Sequence, residues 1–334
     1  MISIIIPCYN SKKYMEKNIN SLLSQTCKEF RVIFIDDGSS DNVERYIREK
    51  FEKHDIKFDI YVIEHRGVGY ARNLGIKVSS TPYTMFLDAD DYLLDNTVEL
   101  FVNSIRNETA DIILGEYMHE VSNKIVWKYE DAYKKISNRI SGEELLSLIF
   151  DNLVHICTSN VIYKTDIIKK ESFKENSLYH EDLNLYYKVI AKAKTITFIP
   201  QVLMAYVMRE KSLSHDLSIE KLKQGIDMLQ DLKDTFVNEG VSSIIIKKID
   251  TKVIPNTCFL FFNKLCLSEA NLIRVYEESG YFETMKHTKL ENRSITSCVK
   301  YLRIKLIAYF PNVYKNIWKI YQETIKSLIR RQNS

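Results

Sequence analysis

The sequence predicts an α/β fold, a mostly parallel sheet flanked by helices, followed by an all-helical C-terminal region. Three observations lead there. In the first half, short apolar runs alternate with amphipathic stretches of helical period, the pattern of strand–helix–strand units. Each apolar run ends in acids, glycines or asparagine, at the edge where open parallel sheets bind ligands. Beyond about residue 217 the strand-like runs give way to nearly continuous helical periodicity. Two domains are therefore expected, residues 1–217 and 218–334.

The elements follow in order. Residues 3–6 read as a short buried strand that turns at Pro7-Cys8-Tyr9-Asn10, and residues 13–25 as a helix. A second strand, 31–35, ends at Asp36-Asp37-Gly38, with Asp41 placed to cap the next helix. Strand 59–63 leads through Gly67-Val68-Gly69 into a helix reaching about residue 78. Strand 84–87 ends at Asp88-Ala89-Asp90-Asp91, Asp95 is placed to cap a helix to about residue 106, and 111–114 gives a fifth strand. Residues 124–129 and 160–163 are strand-like, and 141–150 is a helix with Ser141 and Glu144 as a capping box. A helix over 183–193 and strands at 195–199 and 202–207 complete the first domain. In the second, breaks are expected at Gly240, Pro255, Gly280 and Pro311.

Composition narrows the function classes. Of the 334 residues 45% are hydrophobic and 27% charged, with only 9 Gly and 5 Pro, which excludes long low-complexity segments. A net charge of +3 is too small to imply a nucleic-acid partner. Six cysteines without a CxxC pair or a Cys/His cluster argue against zinc and for reduced thiols in the cytosol. A strand beginning at Met1 leaves no room for a signal peptide, and no apolar run reaches membrane-spanning length. A cytoplasmic protein, peripheral at most at the inner face of the plasma membrane, is expected.

The chemistry-bearing residues gather at the strand ends. Asp88 and Asp90, alternate acids after a buried strand, offer hard oxygen ligands suited to Mg²⁺ or Mn²⁺; the competing reading is a solvated turn. Asp36 and Asp37 at the end of the second strand can accept the imide N–H of uracil, Gly38 allowing a close turn. Gly67-Val68-Gly69-Tyr70-Ala71-Arg72 departs from a dinucleotide fingerprint, since Arg72 stands at its sixth position and the loop follows the third strand. That loop instead brings Arg72 to a nucleotide phosphate or base. His180-Glu181-Asp182 opens a helix, and its carboxylates are either caps or a general base for an acceptor hydroxyl. The basic, hydroxyl-rich stretch from Tyr206 to His215 is suited to closing on a diphosphate, with His215 a metal or phosphate contact.

Taken together and in order, Ser3-Ile4-Ile5-Ile6-Pro7-Cys8-Tyr9-Asn10, Ile35-Asp36-Asp37-Gly38-Ser39-Ser40-Asp41, Ala71-Arg72-Asn73 and Phe86-Leu87-Asp88-Ala89-Asp90-Asp91 resemble the family-2 inverting glycosyltransferases of the GT-A (Rossmann-like) fold. The resemblance covers about residues 1–215. It implies that Pro7, Tyr9 and Asp37 line a uracil pocket with Asp36 beside them, and that Arg72 contacts the nucleotide. Asp88 would hold ribose or metal-bound water, and Asp90 would coordinate Mn²⁺ or Mg²⁺. Asp182 would be the base, Glu181 would orient acceptor or sugar, and Arg209, Ser212 and His215 would contact the pyrophosphate. The implied partners are a UDP-sugar donor and a glycan or glycoprotein acceptor. The Q-x-x-R-W signature of processive members is absent, which favours single-sugar addition.

The C-terminal region carries no signature of the family. Its last stretch, from about residue 300, mixes basic with apolar and aromatic residues at helical spacing. Packing within the chain or between copies is expected first, and docking on an anionic membrane second. Two other functions fit less well. A non-catalytic sugar-nucleotide-binding scaffold need not keep both acidic pairs, and a nucleotidyltransferase would carry a glycine-rich basic loop where Pro7-Cys8-Tyr9-Asn10 stands.

Overall fold

The computed structural model describes residues 1–128, 133, 136–175, 181–209, 217–288 and 295–332. They fall into two compact units, residues 1–149 with 153–212, and residues 150–152 with 213–334.

The first unit runs β1 (Ile2–Cys8), α1 (Glu16–Leu23), β2 (Phe30–Asp36), α2 (Val43–Phe51), β3 (Lys57–Val62), α3 (Val68–Val78), β4 (Tyr83–Phe86), β5 (Tyr92–Leu93) and α4 (Thr97–Asn107). It continues with β6 (Ile112–Val121), β7 (Lys124–Lys128), β8 (Arg139–Ile140), α5 (Gly142–Phe150), β9 (Val161–Lys164), α6 (Thr165–Ile168), α7 (Glu181–Lys192) and β10 (Ile196–Met208). One sheet has the order β3-β2-β1-β4-β9-β6-β10-β5, with β7 added to β6 and β8 to β10. Strands β1 to β4 pair in parallel, as do β6 and β10, whereas β9 is antiparallel to both β4 and β6. Six strands therefore share one direction, and their C-terminal ends share one edge. Strands β1, β2 and β4 are largely covered on both faces, which is why they read as nearly continuous apolar runs, interrupted within the strands only by Ser3, Arg31 and Thr84.

Several expectations need correction. The residues read as two strands at 195–199 and 202–207 form the single β10, bent by register shifts around Ile199 and Val202. Pro7 and Cys8 belong to β1, not to the turn after it, and pair with Ile35 and Asp36. Asp95 does not cap α4: it accepts from the Ser24 hydroxyl, while Gln25 Oε1 receives the Val98 amide at 2.9 Å. The capping box of α5 stands as expected, with Ser141 N donating to Glu144 and Glu144 N to Ser141 Oγ.

The second unit comprises α8 (Ile219–Asn238), α9 (Ser243–Lys248), α10 (Ile254–Leu265), α11 (Leu272–Glu278), α12 (Tyr281–Lys286), α13 (Ile295–Tyr309) and α14 (Pro311–Gln332). Leu232, Phe236, Phe261, Phe262 and Tyr276 are buried in it. Gly240 and Gly280 lie at helix junctions with positive φ, and Pro311 opens α14. Pro255 does not break the chain. A π-helical turn over Ile249–Val253 precedes it, and the proline sits in the first turn of α10, where its missing amide is tolerated. Among the described residues no helix is long and apolar enough to cross a membrane.

Candidate active site

The sheet opens where β1 and β4 part. From β1 the chain returns to β2 on one side, and β4 lies on the other, so this is the point where the strand order reverses and a crevice forms beyond the strand ends. Pairing between β1 and β4 stops at Ile5 and Phe86, with Leu87 N still donating to Ile5 O. Beyond it β1 has only β2 as a neighbour, so Pro7 costs no ladder hydrogen bond toward β4.

The acid turn follows β4. Asn18 of α1, fully buried, donates from Nδ2 to the backbone oxygens of both Asp88 and Asp91, each at 3.0 Å. Asp91, 2% exposed, accepts the Val207 amide on Oδ1 at 2.9 Å and so ties the turn to the end of β10. Two residues later Arg209 pairs with Asp90 and lies 4.0 Å from the centre of the Tyr14 ring. Arg72, 5% exposed, donates to Asp88 Oδ1 at 2.9 Å from the buried face of α3, so it is not a solvated surface arginine.

These carboxylates disturb one another. Burial first, then the charge of Asp88, push the Asp90 carboxyl above its ordinary range, with Arg209 opposing. Burial, Asp88 and Asp90 push Asp91 well above it, while the Val207 amide opposes. An all-oxygen acidic cluster in which each charge penalises the next fits a hard divalent cation. Among the described residues no group of three or more His, Cys, Asp or Glu is arranged to hold a metal. Asp90 and Asp88 would thus supply one or two ligands, the rest coming from water or phosphate.

On the other side of the crevice, both Asp37 oxygens are engaged by the loop before α3. Oδ1 accepts the Arg66 amide at 2.7 Å, and Oδ2 accepts the Gly67 amide at 2.9 Å with His65 Nδ1 at the same distance. Asp36 Oδ1 accepts the Ser39 amide, closing the turn after β2. Gly38 is needed there: its φ is +74°, and a Cβ would stand 2.9 Å from His65 N. Above this scaffold Tyr9, 51% exposed, stacks on His65 with ring centres 4.0 Å apart. The two rings form a solvent-facing aromatic shelf.

Asp182 lies in the first turn of α7 and accepts the Leu183 amide at 2.7 Å. An aromatic layer links it to the acid turn. The Arg72 guanidinium lies 5.4 Å from the Phe173 ring, Phe173 meets Tyr186 edge-on, and Tyr186 stacks on Tyr163. Burial chiefly, opposed by Arg72 but with the charge of Asp182 adding to it, holds the Tyr186 hydroxyl well above its usual range. The structure thus brings together Asp36, Asp37, Tyr9, Pro7, Arg72, Asp88, Asp90 and Arg209 at one sheet edge. Ser212 and His215 lie outside the described residues, as does the side chain of Glu181.

Asn18 and His65 escape a reading by motif. Asn18 had one signal: it shares the apolar face of α1 with Met15, Ile19 and Leu22, where a polar residue must find an internal partner. His65, within a loop, had none.

A sheet of this topology, with its acids and arginines gathered beyond the switch point, has the architecture of the GT-A transferases. The model of glycosyl transferase family 2 matches residues 3–171, half the chain, and the chain belongs to that family. It is 24% identical to the processive diacylglycerol beta-glycosyltransferase of Mycoplasma genitalium over 95% of this chain and 98% of that protein. It is 28% identical to TarP of Staphylococcus aureus, a poly(ribitol-phosphate) beta-N-acetylglucosaminyltransferase, over 66% of each chain. In fold it is similar to S. aureus TarS residues 1–349, solved with UDP-GlcNAc, with a TM-score of 0.70 and 18% identity over 97% of this chain and 92% of that one.

Proposed function

We propose that the protein is an inverting transferase that moves one hexose or N-acetylhexosamine from a UDP-sugar to a hydroxyl of a surface-glycan acceptor, a polysaccharide or a glycoprotein glycan. One observation carries this: at the β1–β4 opening, mutually repelling carboxylates and two arginines stand beside an exposed aromatic shelf. A nucleoside diphosphate is the complement of that arrangement, with a flat ring, two phosphates and room for a counter-cation. The choice of UDP and of an N-acetylhexosamine is supported by TarS bound to UDP-GlcNAc and by the activity in TarP's name.

In this reading the Tyr9–His65 shelf and Pro7 hold uracil, and Asp36 and Asp37 fix the two turns that frame it. Arg72 holds Asp88 toward the ribose. Arg209, paired with Asp90 at the head of residues 210–216, is the cation for which a diphosphate competes; Ser212 and His215 join it on the pyrophosphate. A Mn²⁺ or Mg²⁺ ion at Asp90, with Asp88 beside it, would neutralise charge on the departing diphosphate. Asp182 takes the proton of the acceptor hydroxyl as that oxygen attacks the anomeric carbon from the face opposite the diphosphate, which inverts the centre. Glu181 orients the acceptor.

UDP release from a panel of UDP-sugars, with Mn²⁺ and with chelator, tests the reading. Asp90→Asn should abolish the metal response, and Asp182→Asn should lower transfer by about 10²–10⁴-fold while sparing donor binding. Turnover indifferent to both substitutions, or no UDP-sugar accepted with Mn²⁺ present, defeats it. A second reading, a diacylglycerol-type lipid acceptor, is favoured by the mycoplasma relative, whose match extends through the C-terminal unit. Supplying a glycan and a diacylglycerol acceptor with the same donor separates the two.

A further inference from the structure

The last two helices carry two apolar faces, and only one of them is used. On one face of α14, Tyr314 is 3% exposed, donates to Asn263 Oδ1 at 2.5 Å and accepts from Arg303 at 2.6 Å. Trp318 continues that face, its ring 4.9 Å from the same guanidinium. A second stripe, Val313, Ile317 and Ile320 on α14 with Phe310 immediately ahead of its first turn, recurs every three or four residues, is therefore contiguous, and is 49–64% exposed. In α13, Val299, Leu302 and Tyr309 are exposed as well, at 50–64%. Among the described residues, eight of the 21 exposed large hydrophobic side chains fall within positions 299–321, Tyr321 being the eighth. Isolated exposed apolar residues need no explanation; a stripe of this kind does.

The charge beside it selects the occupant. Residues 295–332 contain eight Lys and Arg and a single acid, Glu323, whereas the other 296 residues carry four more acids than bases. Two copies of so basic a segment would repel each other. An anionic lipid surface would attract it, and an apolar stripe within a segment of net positive charge is what lets a helix lie in the headgroup region. We propose that α13 and α14 form a membrane-docking surface selective for anionic phospholipid, with the stripe from Phe310 to Ile320 entering the acyl boundary. This proposal does not depend on the donor, the metal or the base assigned above.

The test is co-sedimentation of the full chain with vesicles of phosphatidylcholine alone and of phosphatidylcholine with phosphatidylglycerol, across a salt series. Binding should require phosphatidylglycerol and fall as salt rises. Lys319→Glu, which reverses a charge on an exposed side chain, should weaken it at least about fivefold, the worth of one basic residue near such a surface. The pair Ile317→Asp and Ile320→Asp should weaken it at least about tenfold without altering the thermal melt, because neither side chain is buried. Absence of binding to either vesicle, equal binding to both, or binding unchanged in these variants overturns the proposal. So does a dimer that Ile317→Asp converts to monomer, which would make the stripe an interface between copies. If the double variant does not fold, Lys319→Glu and the salt series still decide.

Discussion

Asn18→Ala should cost more than its size suggests, because one side chain holds the acid turn at two points. The substitution removes two hydrogen bonds at 3.0 Å and leaves the Asp88 and Asp91 carbonyls without their donor, one bond being fully buried and the other partly so. Each bond is worth about 0.5–1.5 kcal/mol net, and each stranded carbonyl adds desolvation, giving roughly 2–4 kcal/mol. The Asn18 Oδ1 is itself buried with no hydrogen-bond partner among the described residues, so losing it returns some energy and places the expectation near the lower end. About 2 kcal/mol corresponds to a fall of roughly 4–8 °C in melting temperature for a unit of this size. Turnover should fall by at least about tenfold, since misplacing a reacting group by 1 Å can cost about 10². Thermal melts and UDP-release kinetics on Asn18→Ala and Asn18→Asp decide the matter. The aspartate fills the same volume but turns a carboxylate toward two carbonyl oxygens, so it should be worse than alanine. If alanine is the worse of the two, a cavity explains the effect and the clamp does not exist.

Other perturbations probe different links. Tyr9→Ala removes half the aromatic shelf and should raise the donor KM by about 5- to 150-fold with little change in kcat, the usual range for losing one base-stacking ring, as read by initial rates against UDP-sugar. Gly142→Ala would place a Cβ 1.7 Å from Ile190 O and 2.9 Å from Ala193 O; a loss of about 3 kcal/mol or more in urea denaturation is expected, because neither neighbour is a movable side chain. Asp151 accepts from Lys248 at 2.9 Å and Lys252 at 2.5 Å; burial pulls its carboxyl upward, but the two lysines outweigh this and hold it below its ordinary 3.8. Its contribution is therefore present above that value and is lost as pH falls through the depressed one. Asp151→Asn should cost about 1–3 kcal/mol at pH 7 and flatten the acid limb of the stability curve.

The sequence revealed strands wherever a strand is buried on both faces. Residues 2–6, 32–35 and 83–87 are apolar apart from the fully buried Ser3 and Thr84, because both faces are covered, and acids appear only where the strands end, so strand ends and the acidic edge appeared together. Direction is not written in that way. Val161-Ile162-Tyr163 of β9 is as apolar as its parallel neighbours, and nothing local shows that it runs against them. The same holds for β5 and β8, two residues each, whose existence depends on β10. The caps illustrate the divide. Ser141 and Glu144 are three residues apart and could be read as a unit, whereas Gln25 caps α4 across 73 residues, and no spacing rule reaches that far.

The site residues divide along the same line, and charge explains how they coexist. Asp88, Asp90 and Asp91 are legible as a cluster, yet in isolation such a cluster at a buried strand end is unstable, each carboxylate making the next harder to ionise. What makes it tolerable comes from distant segments: Arg72 sixteen residues upstream, Arg209 from the end of β10, and the neutral amides of Asn18 and Val207. These partners differ in kind. The amides bind backbone or a buried oxygen and fix shape whatever the charge of the site. The Asp90–Arg209 pair is more exposed, at 23% and 32% for the two side chains, so exchanging Arg209 for another cation exposes less new charge to a low-dielectric interior than parting Asp88 from the 6%-exposed Arg72 would. Substitution at Arg72 should therefore damage folding and activity together, whereas Arg209→Ala should leave the melt nearly unchanged and act on donor affinity.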